Sequence, residues 1–235
     1  ANFPPQQGAP TPQEPFVFLH HEKCAGTSLR SIIAQSALAH GATFHVPCFD
    51  PLDATGPHID HPPGTHPASC ASFNLSFVPP DRRAKLAVIA GHFQWGVWAD
   101  EGQDVGGRPA LFPAAVIPRV FVMLREPVSR TISMYYERIF PTMQVSLNEL
   151  PLEDLSYFLQ NFYGSAYLAY RDEGLVDAAC KMMCSLNVHK GRRPDEIPGT
   201  LSPPDLALAV SRLGKTVVGL THRWEETKAV IRFWF

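Results

Sequence analysis

Excess charge of either sign is what this chain has least of: 20 Lys and Arg stand against 22 Asp and Glu, a formal net charge of −2. That balance excludes a protein that holds nucleic acid by bulk electrostatics, so any anion site must be local. Long apolar runs are missing too, since no stretch approaches the ~18 residues of a membrane-spanning helix. Cysteine is sparse, with five in 235 residues, which excludes a disulfide-dense scaffold and leaves at least one thiol unpaired if all pairing is internal. What is present, 45% hydrophobic and 18% charged residues, suits a globular domain rather than a disordered or coiled-coil chain. The length fits one domain, or one with a sizeable insertion, and 23 Pro against 16 Gly point to extended loops.

The first residues, ANFPP, carry neither an initiating Met nor a signal-peptide pattern, so the chain reads as a piece of a longer protein. Residues 1–15, ANFPPQQGAPTPQEP, are rich in Pro and Gln and predict an extended stem or linker ahead of a domain over 16–235. The closing IRFWF is apolar, ends a helical pattern and has no stop signal, which predicts that the domain continues past Phe235.

FVFLH at 16–20 predicts a short buried strand, and Leu29, Ile32, Ile33 and Leu38 keep a helical period from Ser28 until Gly41. From Pro47 to Pro80 no period survives among the Pro, Gly, His and Asp, so an irregular insertion is expected over about 47–80. KLAVIAG at 85–91 and RVFVMLR at 119–125 are continuous apolar runs of the kind found in parallel sheets covered on both faces. A helix is predicted over about Ser129–Ile139. The spacing of Leu155, Phe158, Leu159, Phe162, Leu168, Val176 and Met182 predicts two or three more between 152 and 187. PDLALAVSRLG at 204–214, TVVGL at 216–220 and WEETKAVIRFWF read as helix, strand and helix. Strands alternating with helices predict an α/β fold, a three-layer sandwich around a mainly parallel central sheet.

Three signals fall at strand ends. In FLHHEKCAGTSLR at 18–30 a strand runs through Lys23, Cys24, Ala25, Gly26, Thr27 and Ser28 directly into a helix. Small residues there let backbone N–H groups approach a phosphate, the helix N-terminus adds positive potential, the hydroxyls donate and Lys23 supplies a point charge. The G-x-x-x-x-G-K-[ST] order of a Walker A loop is absent, and an ordinary turn with Thr27 or Ser28 as helix N-cap is the plainer alternative. In LREPVSRTISMYYE at 124–137, Arg125 stands at a strand end with Ser133 about two helical turns on, a second candidate anion site. In IAGHFQWG, His92 follows Gly91 at a strand end, where an imidazole can serve as general base.

These segments resemble a family. FLHHEKCAGTSLR looks like the 5′-phosphosulfate loop of the Golgi carbohydrate sulfotransferases, LREPVSRTISMYYE is similar to their 3′-phosphate segment, and AGHFQWG and VVGLTHRWEET resemble two further family segments. The group includes the heparan sulfate and uronyl 2-O-sulfotransferases and the chondroitin and dermatan 4-O enzymes. All use 3′-phosphoadenosine 5′-phosphosulfate (PAPS). The resemblance implies a P-loop nucleotide-kinase-like fold and an O-sulfotransferase that moves the sulfuryl group of PAPS to a carbohydrate hydroxyl without a metal. Lys23 would contact the 5′-phosphosulfate within a loop of Cys24, Ala25, Gly26, Thr27 and Ser28. Arg125 and Ser133 would bind the 3′-phosphate, and His92 would be the catalytic base beside Lys23. It also implies a glycan acceptor, no nucleic acid, and a Golgi-lumenal enzyme on a type II membrane anchor that this chain does not contain. Glu22 departs from the usual Pro, and Cys24-Ala25 from the usual Thr-Gly.

Arg82, Arg83, Lys85 and KGRRP at 190–194 are candidate contacts to an acidic glycan, with a solvated basic surface as the alternative. Phe93, Trp95 and Trp98 suit sugar stacking or an ordinary core. Cys180 and Cys184 read as small buried side chains or, at i,i+4, as a ligand or bridge pair, and Cys48 with Cys70 would close a loop as a disulfide. Competing functions are a P-loop-type nucleotide or small-molecule kinase, a catalytically inactive sulfotransferase-like binding domain, and a metal site built from His58, Asp60, His61, His66 and Cys70.

Overall fold

A run of apolar side chains with nothing polar to turn toward water can be satisfied only where a sheet is covered on both faces. The computed structural model describes residues 8–46, 80–93, 95–96, 98, 112, 116, 118–138, 140–149, 178–184 and 201–234. Three such runs form its centre: β1 (Phe16–Leu19), β3 (Val88–Gly91) and β4 (Arg119–Leu124). All of β1 and β3, and Val120–Met123 of β4, are buried. They are flanked by β2 (Phe44–His45) and β5 (Val217–Leu220). Every pairing is parallel, in the order β2-β3-β1-β4-β5. The expected α/β class with a parallel central sheet is therefore present. The fifth strand, β2, is new, because two residues are too few to show an alternation.

The helices are α1 (Gly26–Ala39), α2 (Pro80–Arg83), α3 (Pro127–Arg138), α4 (Phe140–Met143), α5 (Ala178–Cys184), α6 (Pro203–Leu213) and α7 (Trp224–Trp234). Helix α1 buries Leu29, Ile33, Ala34 and Ala37 in a core shared with Phe16, Phe18, Phe44 and Phe121. It stops as its sequence predicts. Gly41 takes a left-handed φ of 64°, its N–H donates to Leu38 O at 3.0 Å and the Ala42 N–H to Ala37 O at 2.9 Å, which satisfies the last carbonyls of the helix.

The chain divides into two compact units, Ala1–Leu124 with Gly214–Phe235, and Arg125–Leu213. The first contains the whole sheet with α1, α2 and α7. Thr227 on α7 uses its hydroxyl twice on the last residue of β5, accepting from Leu220 N–H at 3.1 Å and donating to Leu220 O at 3.2 Å. Gly219 makes that approach possible, since a Cβ there would lie 2.6 Å from Thr227 Cγ2 and 2.7 Å from Phe121 Cζ. Arg119 ties down the residues ahead of β1: its guanidinium donates to Gly8 O at 2.8 Å and to Glu14 Oε2 at 2.7 Å. Pro10 and Pro15 are buried.

The second unit contains α3 to α6. The Tyr135 hydroxyl on α3 donates to Val145 O at 2.6 Å. Cys184 is buried, and its thiol donates to Asp205 O at 2.9 Å, while Arg212 holds Met183 O at 2.8 Å. Cys24, Cys180 and Cys184 are in no disulfide, so Cys180 and Cys184 form no bridge, and burial pushes the Cys184 thiol up. Cys48, Cys70, the expected insertion over 47–80 short of Pro80, KGRRP, the five-residue metal set and most of the helical stretch at 152–187 lie outside the described residues.

Candidate active site

The chain leaves the sheet at β1 and turns into α1 within six residues, 20–25. Lys23 and Ala25 both have left-handed backbone, at φ 62° and 58°. Neither is Gly, Asn or Asp, so each conformation costs roughly 1–2 kcal/mol that the surroundings must offset. Ala25 is the N-cap of α1 and makes no side-chain cap bond. The ordinary turn, with Thr27 or Ser28 as N-cap, is therefore not what forms. Thr27 and Ser28 stand one and two residues inside the helix and are exposed, while Gly26 ahead of them is buried. Cys24 points the other way: its side chain is fully buried in the core, with the thiol donating to Glu22 O at 3.6 Å. The residue as a whole, main chain included, is 0% exposed.

The register of the sheet brings His92 to this turn. Leu19 pairs with Gly91, and the His20 N–H extends the ladder by donating to Gly91 O at 2.7 Å. His20 and His92 then emerge as neighbours, their rings stacked with centroids 3.9 Å apart and planes at 24°. His92 Nδ1 lies 3.0 Å from the His20 carbonyl oxygen. A carbonyl can only accept, so Nδ1 carries the proton and, in the neutral ring, Nε2 carries the lone pair. This is the tautomer a general base at Nε2 needs.

His20 itself is buried, and burial first, then repulsion from the positive charge that His92, Arg30, His21 and Lys23 carry when protonated, drives its imidazole far below the ordinary 6.5. It is a neutral ring at neutral pH. Its Cδ2–Nε2–Cε1 edge rests against Gly26, where any Cβ would overlap it. Residue type and spacing alone assign no role to His20 or Arg30. Arg30 is a half-buried cation on the first turns of α1, and burial pulls its guanidinium below the ordinary arginine value without discharging it at neutral pH. The available signal was a strand-end His at 20 in register with the strand-end His at 92.

β1 and β4 are adjacent, yet the chain leaves β1 for β2 on one side and β4 for β5 on the other. Such a reversal opens a crevice beyond the carboxyl ends of the strands, the usual ligand position in open α/β sheets. β4 ends at Leu124, so Arg125 is the first residue beyond the strand rather than its last, and it belongs with Ser133 to the second unit. Both are half-buried, whereas Val128, Ile132 and Tyr136 of α3 are exposed.

The amides at the start of α3 are already engaged. Glu126, just ahead of Pro127, accepts from Val128 N–H at 2.9 Å and Ser129 N–H at 2.7 Å. An anion here has to be held by side chains, not by the helix end. Those two amide bonds hold the exposed Glu126 carboxyl below the usual 4.5, so its stabilisation is present above the unfolded value and is lost as pH falls through the folded one. Glu126→Ala is accordingly expected to lower the melting temperature at neutral pH, and the difference from the native chain to shrink on acidification. Thermal unfolding of both proteins across a pH series checks this.

Phe93, Trp95 and Trp98 are buried, the two indoles meeting edge-on at 4.9 Å, so they serve as core and not as an open stacking platform. Arg82 and Lys85 are exposed. Among the described residues there is no group of three or more His, Cys, Asp or Glu that could hold a metal, and no helix long and apolar enough to cross a membrane. A scan against protein-family models, a search of curated proteins and a search of solved structures each found no match to this chain.

Proposed function

We propose that this chain is a carbohydrate O-sulfotransferase that takes the sulfuryl group from PAPS. One observation carries the reading: a turn with left-handed Lys23 and Ala25, and no side-chain cap from Ala25, opens α1 after β1, beside a His on the adjacent strand end whose Nδ1–H is fixed by a main-chain carbonyl. Support also comes from the all-parallel order β2-β3-β1-β4-β5, which suits the P-loop nucleotide-kinase-like architecture implied by the motif resemblance. Under this reading the chain works in the Golgi lumen as part of a type II membrane protein.

In the reaction, the acceptor hydroxyl attacks sulfur in line as the S–O bond to the 5′-phosphate breaks. His92 Nε2 takes the hydroxyl proton, and 3′-phosphoadenosine 5′-phosphate leaves with the electron pair of the broken bond. Lys23 and the amides of the turn meet the charge that grows on the bridging oxygen, where a preorganised donor lowers the barrier most. The motif resemblance implies that Arg125 and Ser133 take the 3′-phosphate.

Isothermal titration with 3′-phosphoadenosine 5′-phosphate, ATP with Mg²⁺, and 5′-AMP tests the reading. The expected result is selective binding of the bisphosphate, weakened in both Lys23→Ala and Arg125→Ala. Preference for ATP with Mg²⁺ would instead make the chain a kinase, and binding of none of the three by a folded sample would make it a binding domain without this chemistry.

A further inference from the structure

We infer that His20 is a positioning residue that fixes the orientation of His92 and the seat of the Gly26 turn, an inference that rests on the sulfotransferase reading for what the site is used for. The His20 ring is the spacer between the two working parts. One face stacks on His92 at 3.9 Å, and one edge lies on Gly26. Phe18, two residues back along β1, stacks with it at 5.7 Å, so the ring is confined from several directions. The main-chain carbonyl of the same residue accepts the His92 Nδ1–H at 3.0 Å. His20 thus sets both the tautomer of His92, through its carbonyl, and the plane of the His92 ring, through its own.

Packing alone does not explain a histidine here. The residue is 6% exposed, and its Nδ1 has no hydrogen-bond partner among the described residues. A buried polar atom left unpaired is unfavourable, so a Leu or Phe would serve the core better. What the imidazole provides is a flat ring lying over Gly26 and against His92. Being neutral, it places no charge against the imidazolium that His92 becomes on taking a proton.

The test compares His20→Leu, which fills the space without a flat face, with His20→Phe, which keeps one. Nitrogen-15 NMR of the His92 ring in the free protein reads the tautomer, a signature that core packing by itself does not move, and titration with 3′-phosphoadenosine 5′-phosphate reads the turn. The native chain and a folded Phe variant should show a single Nδ1–H tautomer of His92. The Leu variant should shift toward a tautomer mixture and bind the bisphosphate several-fold more weakly. A folded Leu variant with the native tautomer and native affinity overturns the inference. So does a folded Phe variant that loses the native tautomer, which keeps the test decisive if the Leu variant does not fold. Failure of the native chain to bind the bisphosphate would count against the sulfotransferase reading alone, because the His92 spectra still decide what His20 does.

Discussion

Lys23→Ala is expected to lower sulfuryl transfer from PAPS to a mixed pool of desulfated glycosaminoglycans by ~10²–10³, equivalent to about 2.7–4 kcal/mol of transition-state stabilisation. The loss in affinity for 3′-phosphoadenosine 5′-phosphate should be much smaller than the loss in rate. The reason is when the charge appears. In ground-state PAPS the bridging oxygen carries little charge, and it gains charge only as the S–O bond breaks, so a cation aimed at it acts mainly on the barrier. Lys23→Arg should recover little of the rate, since a broad planar fork does not replace a compact ammonium at a left-handed turn position. Transfer rates with labelled PAPS, set beside calorimetric affinities, decide the matter. Equal losses in rate and affinity would make Lys23 a ground-state phosphate clamp, and no loss in either would remove it from the site.

The central strands were readable because burial on both faces leaves an unbroken apolar run, as in FVFL, VIAG and RVFVML, and such a run survives without knowledge of its neighbours. The ends of α1 were half readable. Gly41 announced the C-terminus through its left-handed φ, but the helix starts two residues before the expected Ser28, because Ala25 takes a conformation that its residue type does not advertise. β2 has two residues and no period to detect.

The candidate site divides the same way. Lys23, Gly26, Thr27, Ser28 and His92 were visible as residue types at strand ends. The part played by His20 was not, because it depends on the register of two strands whose contacting histidines are 72 positions apart in sequence. Cys24 and the aromatic residues Phe93, Trp95 and Trp98 turned inward, a choice made by which face of the turn or strand end is covered and not by side-chain chemistry. Glu126 escaped notice although Glu-Pro ahead of a helical run is a sound start signal, with Pro at the first helical position and a carboxylate able to reach the next amides.

Gly26→Ala puts the packing of the site to its most direct test, because two known effects oppose each other. Alanine is favoured over glycine in a helix by up to about 1 kcal/mol, partly by restricting the unfolded chain. Against this, the new Cβ would occupy the space of the His20 ring, and that ring is backed by His92 at 3.9 Å and Phe18 at 5.7 Å and has little room to withdraw. Overpacking of this kind costs typically ~1–3 kcal/mol, so the clash should win and the variant should melt several degrees lower, at about 2–4 °C per kcal/mol for a chain of this size. A cycle with His20→Ala separates the causes. Once the ring is gone the Cβ has space, so Gly26→Ala in that background should be neutral or stabilising, and the two single losses should exceed the double one. If Gly26→Ala stabilises the native chain instead, the ring does not rest on the turn. The link from His92, just after β3, to the turn ahead of α1 would then have to run through the backbone alone.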